Sequence, residues 1–299
     1  MSDAHLDYSD RLLDTRSVRR SFDRAAAGYD SAAVLHAQVR GELLERLRLM
    51  SISPKVVLDG GAGTGHASRA LKGRYPGALV VALDASLQML RHAGRQRGWL
   101  RRFSCVCADA QCLPLADASV DLIVSNLMLH WCDPDAVLSE FRRVLAPRGL
   151  LCFSTFGPDT LRELRSAWAQ VDAAPHVHDF LDMHDVGDAV VRAGFASPVL
   201  DVERFTLSYS DFQKVAADLR ATGARNAATT RRRGLSSPRK FAAMQAAYEK
   251  YRRDGRLPAT YEVVFAHAWA PAPKERGLPK ATEVPLEEIK RQLKLPRRR

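Results

Sequence analysis

The sequence is poor in the features that mark secreted, membrane-spanning or metal-stapled proteins. Its most apolar stretch, residues 120–131, is interrupted by Asp121, Ser125 and Asn126 and falls short of the roughly 20 residues a spanning helix needs. The opening MSDAHLDYSD is polar and acidic, without the basic, then apolar, then small-residue order of a secretory signal, so a cytoplasmic protein with no membrane partner is expected. Cysteine is scarce and unpaired in pattern: five residues, at 105, 107, 112, 132 and 152, with no C-x2-C spacing. Free thiols are expected, and neither a disulfide framework nor a zinc site. What remains is ordinary for a globular chain. With 299 residues, 46% apolar and 26% charged, wholesale disorder is excluded and one large domain or two small ones can be filled.

The net charge of +11 is unevenly placed. Residues 218–256 carry +8 and residues 270–299 carry +5, leaving the rest at −2. A nearly neutral body with basic appendages points to an acidic partner.

Residues 1–53 read as a helical preface, with Val34, Leu35, Val39, Leu43, Leu44 and Leu47 along one face of a helix. From residue 54 the pattern changes to short apolar strands without polar alternation, separated by helical stretches, as in a parallel sheet covered on both faces. The expected fold is therefore a three-layer α/β domain. An alternating strand over 199–209 is followed by two basic helical stretches, 212–221 and 241–251, and then a last strand over 261–269. The domain map is a preface over 1–53, an α/β core over 54–210, a basic helical lid over 211–258 lying outside the core, the last core strand over 259–269, and a disordered basic tail over 270–299 with one short helix near 286–293.

After the first strand comes Asp59-Gly60-Gly61-Ala62-Gly63-Thr64-Gly65, at the place where open α/β sheets bind ligands. A dinucleotide fingerprint would space its third glycine one residue later, and an acidic residue before the glycines repels a pyrophosphate. Asp59 suits a cation instead, the α-amino group of S-adenosylmethionine (AdoMet), with Gly61, Gly63 and Gly65 around its methionine portion. Asp84 ends the second strand, where a carboxylate can accept from both ribose hydroxyls. Asp109 and Ala110 follow the third strand at the adenine position, and Asn126 ends the fourth beneath the transferable methyl. Any one of these acids alone is explained as a helix cap; all in register with the glycine loop are not.

These motifs make residues 54–157 similar to class I AdoMet-dependent methyltransferases, which implies a Rossmann-like sheet, mostly parallel with the last strand antiparallel, and a helical insertion between the last two strands. The flanking stretches Ser21–Asp30 (SFDRAAAGYD), Gly157–Leu161 (GPDTL), His178–Asp185 (HDFLDMHD) and Gly223–Asn226 (GARN) extend the likeness over residues 15–270. Together they resemble the malonyl-acyl carrier protein O-methyltransferases of biotin synthesis. In that pattern Gly60 replaces an apolar residue, and Arg148 replaces a glycine of a Pro-Gly-Gly turn. The resemblance implies methylation of the free carboxylate of a malonyl thioester, with acyl carrier protein as the acidic partner. A carboxylate is ionised near neutral pH and needs no general base. It needs a clamp, and Arg225 is the expected one, with Tyr29 and His130 as substrate-pocket walls. His176, His178 and His184 beside Asp179, Asp182 and Asp185 invite a metal reading, but the chemistry requires no Lewis acid and none is expected. Arg231–Arg233 and Arg297–Arg299 would suit phosphates, making an RNA methyltransferase the alternative; the Ser125-Asn126-Leu127-Met128 turn lacks the residues that stack a flipped base, so nucleic acid is not the expected partner.

Overall fold

The structure is a computed structural model and describes residues 13–98, 102–229 and 237–272. The expected tail helix near 286–293, the Arg231–Arg233 and Arg297–Arg299 runs and the first 12 residues lie outside these. Seven strands form one sheet in the order β3-β2-β1-β4-β5-β7-β6. They are β1 (Val56–Gly60), β2 (Leu79–Asp84), β3 (Ser104–Cys107), β4 (Val120–Asn126), β5 (Leu145–Phe156), β6 (Ala196–Tyr209) and β7 (Leu257–Trp269). The first five pair in parallel, and β7 runs antiparallel to both β5 and β6.

The central strands are apolar throughout because both faces are buried. Val57, Val80, Ala82, Leu122 and Val124 enter one core. Their chain neighbours Leu58, Val81, Leu83 and Ile123 enter the other. The first core is covered by α3 (Val34–Arg48) and α4 (His66–Arg74), with α5 (Leu87–Gln96) and α7 (Arg162–Ala169) alongside. The second is covered by α6 (Pro134–Val144) and α8 (Met183–Arg192). Local chemistry starts these helices: Asp133 caps α6 ahead of Pro134, Ser86 caps α5, and Asp182 caps α8. β6 keeps the alternation expected of an edge strand, with Val199 and Val202 exposed.

The preface folds as α1 (Thr15–Ala25), α2 (Tyr29–Ala32) and α3. Only Leu35, Val39, Leu43 and Leu47, spaced four apart, are buried on α3; Val34 is 61% exposed, one step of 100° off the stripe. At Arg148 the backbone takes φ +63, a conformation that favours the glycine it replaces.

The helical insertion corrects an expectation. α9 (Phe212–Ala221) and α10 (Pro238–Glu249) are not a lid outside the core. Phe212, Val215, Met244, Ala247 and Tyr248 are buried and join the first core beside Leu164 and Tyr261. The reason lies in the sheet. Residues 257–262 of β7 pair only with 204–209 of β6, so a two-stranded ribbon projects past the end of β5. Its apolar face needs a cover, and the insertion supplies one.

Candidate active site

Strand order reverses around β1, which has β2 on one side and β4 on the other, so a crevice opens at the carboxyl ends of these strands. The glycine loop lies there. Gly61 takes φ +74 and a Cβ on it would come within 2.4 Å of Met128 Cγ, so the loop and the turn after β4 meet only because the side chain is missing. Gly63 takes φ +54 and its Cβ would meet nothing within 4 Å, so it keeps open space beside the backbone. Gly65 faces inward instead, against Ala93 and Phe103 at the start of α4.

The acidic residues end up around this loop. Asp84 accepts from the Gly63 N–H at 2.8 Å and from the Ser86 N–H at 2.8 Å, and burial raises its pKa. Each carboxylate oxygen retains a second lone pair for a hydroxyl. Asp59 is 1% exposed and accepts from Ser68 Oγ at 2.5 Å; burial pushes its pKa up to about 6. Asp109 is exposed and accepts from the Gln111 N–H. Asn126 is held by two bonds, its amide donating to the His36 carbonyl and its oxygen accepting from Ser154 Oγ.

Three cavities adjoin here. One of about 270 Å³ is lined by Gly61, Gly63, Asp84, Asp109, Ala110 and Asn126, with Arg16, Arg19 and Phe22 of α1. A second of about 180 Å³ is lined by Asp59, Asp30, Arg40 and His36. Both share Tyr29, Gly61, Gly63 and Asn126, and so form two ends of one trough. A third, of about 220 Å³, contains His130 and His178 and meets the first at Thr15, Gln111, Trp131 and Cys132.

The donor set fits a sulfonium nucleoside carrying an amino acid. Arg40 lines the smaller end of the trough without a hydrogen bond or ion pair among the described residues, a receptor for a carboxylate next to Asp59 for an amine. At the other end Asp84 and Asp109 offer carboxylates suited to hydroxyls and an amine, and Gly63 leaves room between.

Residues 58–153 match a family described as a methyltransferase domain. Two malonyl-[acyl-carrier protein] O-methyltransferases, from Methylovorus sp. (strain MP688) and Laribacter hongkongensis (strain HLHK9), are each 52% identical to this chain. The first alignment spans 87% of this chain and 90% of that protein, and the second 88% and 92%. The chain belongs to the malonyl-[acyl-carrier protein] O-methyltransferase family. Among solved structures, a putative methyltransferase from Bacillus halodurans superposes with a TM-score of 0.56 at 19% identity, over 78% of this chain and all of that one. A Haemonchus contortus phosphoethanolamine N-methyltransferase 2, solved with S-adenosylhomocysteine, gives 0.54 at 17% identity, over 87% and 61%. These likenesses show the class I methyltransferase fold.

Within this family member the expected residues divide. Asp59, Gly61, Gly63, Asp84, Asp109, Ala110 and Asn126 line the trough, whereas Gly65 packs behind it. Tyr29 was expected at the substrate and lies on the trough at both ends. His130 lines the third cavity. Arg225 is exposed, in the segment after α9, and lines none of the three. The segment that carries it packs against α1, with Gly223 beside Phe22 and Ala25 and the Ala227 carbonyl accepting from the Asp14 N–H, while the cations lining the trough are Arg16 and Arg19 of α1.

The metal-like run also disperses. His176 stacks on Trp168 at 3.6 Å and pairs with Asp172, His178 is buried at the third cavity, and His184 is exposed. Among the described residues no three metal-ligating side chains converge. The five cysteines are free thiols.

Sequence reading missed Arg40 and the way the preface is fastened. Asp23 accepts from Ser86 Oγ at 2.6 Å and from the Gln88 N–H, tying α1 to the start of α5. Asp30 accepts from Thr64 Oγ1 at 2.6 Å and from Gln96 Nε2, and lies 3.2 Å from His66 Nε2, tying α2 to the glycine loop. Both acids fall inside the SFDRAAAGYD stretch, the only signal available.

Proposed function

We propose that the protein transfers the methyl of AdoMet to the free carboxylate of a malonyl group held as a thioester on acyl carrier protein. The observation that carries this reading is the trough: its acids, Arg40 and open glycine suit AdoMet, in a chain 52% identical to proteins named for this reaction. When bound, AdoMet supplies an electrophilic methyl on a sulfonium. The protein's own part is positional. Asp84 and Asp109 hold the nucleoside, Asp59 and Arg40 hold the amino-acid end, Asn126 lies where both ends meet, and α1 with Tyr29 covers them against water. No residue has to remove a proton, because the acceptor is already an anion.

Arg16, Arg19, Arg20 and Arg24 of α1 are exposed, the first two at the rim of the trough, and suit an acidic carrier protein. The ester product would hide the charge at the end of the acyl chain, which is the role in biotin synthesis that the sequence resemblance implies. No helix among the described residues is long and apolar enough to cross a membrane. An RNA substrate is not favoured, because the relatives' names specify a malonyl carrier and no expected base-stacking turn follows β4.

The test is incubation with labelled AdoMet and, separately, malonyl-acyl carrier protein, malonyl-coenzyme A and total RNA. The expected product is a base-labile methyl ester on the malonyl thioester. Label in RNA, or none anywhere, refutes the reading.

A further inference from the structure

The third cavity has a chemistry that the trough does not use. Its apolar wall includes Leu129, Trp131, Phe180, Leu181 and Val186, and set into it are two imidazoles. His130 stands on the turn after β4, and His178 in the loop ahead of α8. The Nε2 atom of each is shut off from solvent and has no hydrogen-bond partner. Native interiors pair their polar atoms, and unpaired ones concentrate where a ligand completes them. The two rings are fixed by the same aromatics. Trp131 is 5.2 Å from His130 and 5.1 Å from His178; Phe180 is 5.7 Å and 4.6 Å from them. Thr155 Oγ1 lies 3.5 Å from His130 Nδ1, and a hydroxyl proton directed there leaves the ring proton on Nε2.

We propose that His130 and His178 form the receptor for the substrate carboxylate, each donating an Nε2–H to an oxygen of the acyl head. This rests on the carboxylate-methylation reading above and replaces Arg225 in it. The chemistry favours neutral donors. A carboxylate oxygen lone pair forms the O–CH3 bond as the C–S pair returns to sulfur, giving an ester and a neutral thioether with no proton moved. Both charges fade along the way. A guanidinium on the attacking oxygen would stabilise the charged ground state more than the transition state, whereas a neutral donor orients the oxygen without quenching it. A dry aromatic wall works in the same direction.

Burial keeps both rings neutral: it lowers the His178 pKa to about 4 and holds that of His130 well below its ordinary value. His36 and His178 oppose a charge on His130. Arg165 opposes one on His178, and Asp179 favours it.

The experiment uses the full chain, AdoMet and malonyl-coenzyme A, and reads kcat, KM and, by calorimetry, the AdoMet Kd. His130→Leu and His178→Leu each raise the malonyl KM about 10- to 100-fold, with the AdoMet Kd within about twofold as the check on folding. His130→Gln and His178→Gln, which keep a neutral N–H, recover most of that loss. Arg165→Leu leaves the KM within about threefold. Leucine variants with unmoved KM overturn the receptor, as do glutamine variants no better than leucine, or a KM rise confined to Arg165→Leu. A parent protein that makes no malonyl ester overturns the carboxylate reading and the receptor with it; an active parent with unmoved leucine variants overturns the receptor alone.

Discussion

The Asp59 carboxyl has given up water for Ser68, and its pKa climbs to about 6 because burial outweighs that partner. The folded state therefore holds the proton more tightly than the unfolded chain does, where a carboxyl titrates near 4. Ionising Asp59 costs stability, and the cost grows as pH rises from about 4 through 6 and is complete above that. Asp59→Asn should accordingly stabilise the protein at pH 7.5 by up to about 3 kcal/mol, with no gain at pH 4, while weakening AdoMet binding about 10-fold or more. Thermal melts at the two pH values and calorimetry check this; an asparagine variant no more stable at pH 7.5 rules it out. Asp59, Asp84 and Asp109 were legible in the sequence as neighbours because each sits at or just past the carboxyl end of a strand of one parallel sheet, so counting strands places them together. Arg40 was not legible. It comes from α3, which covers one face of the sheet, and helical periodicity gives the buried face but not what the flanking residue faces. Arg225 misled for a related reason: a run of like charge says that a surface is basic, not which of its residues lines a cavity.

At the scale of elements, the preface is a cover held by two carboxylates. Asp23 fastens α1 to the start of α5, and Asp30 fastens α2 to the glycine loop. Neither contact lies in the hydrophobic core, so cutting one loosens the cover without unfolding the sheet. Asp23→Ala should raise the AdoMet Kd about 3- to 10-fold while the global Tm stays within about 2 °C. A variant that binds AdoMet as tightly as the parent protein excludes the fastening role. The strands and most helices were readable from periodicity, since β1, β2 and β4 are apolar on both faces and α6 and α8 begin with Asp caps. The placing of α9 and α10 was not readable. It depends on β6 and β7 outrunning β5, a matter of strand pairing over distant residues that local pattern does not encode.

Over the whole molecule the basic charge lies on two different surfaces. Within the insertion, Lys240, Arg252 and Arg256 are engaged with Asp172, Glu249 and Ser208. Arg16 and Arg19 line the trough, Arg20 and Arg24 are exposed on the same helix, and none of the four makes an ion pair among the described residues. Steering of an acidic carrier should therefore depend on α1. Arg20→Glu with Arg24→Glu, exposed on α1 and outside the trough lining, is expected to lower kcat/KM for malonyl-acyl carrier protein about 10-fold at low ionic strength and to leave a malonyl thioester of a small neutral thiol nearly unchanged. The difference should shrink in 0.5 M salt. Equal losses for both substrates, or a loss that salt does not relieve, would place the docking surface elsewhere.

A helix that shuts one ligand in with its inner side and receives another on its outer side imposes a sequence on turnover. On the proposed reading, a carrier docked on α1 would keep the contact of Asp23 with Ser86 closed, so the spent nucleoside would leave after the carrier. Nucleoside first in, and last out, is the order of events that this arrangement of one segment would give.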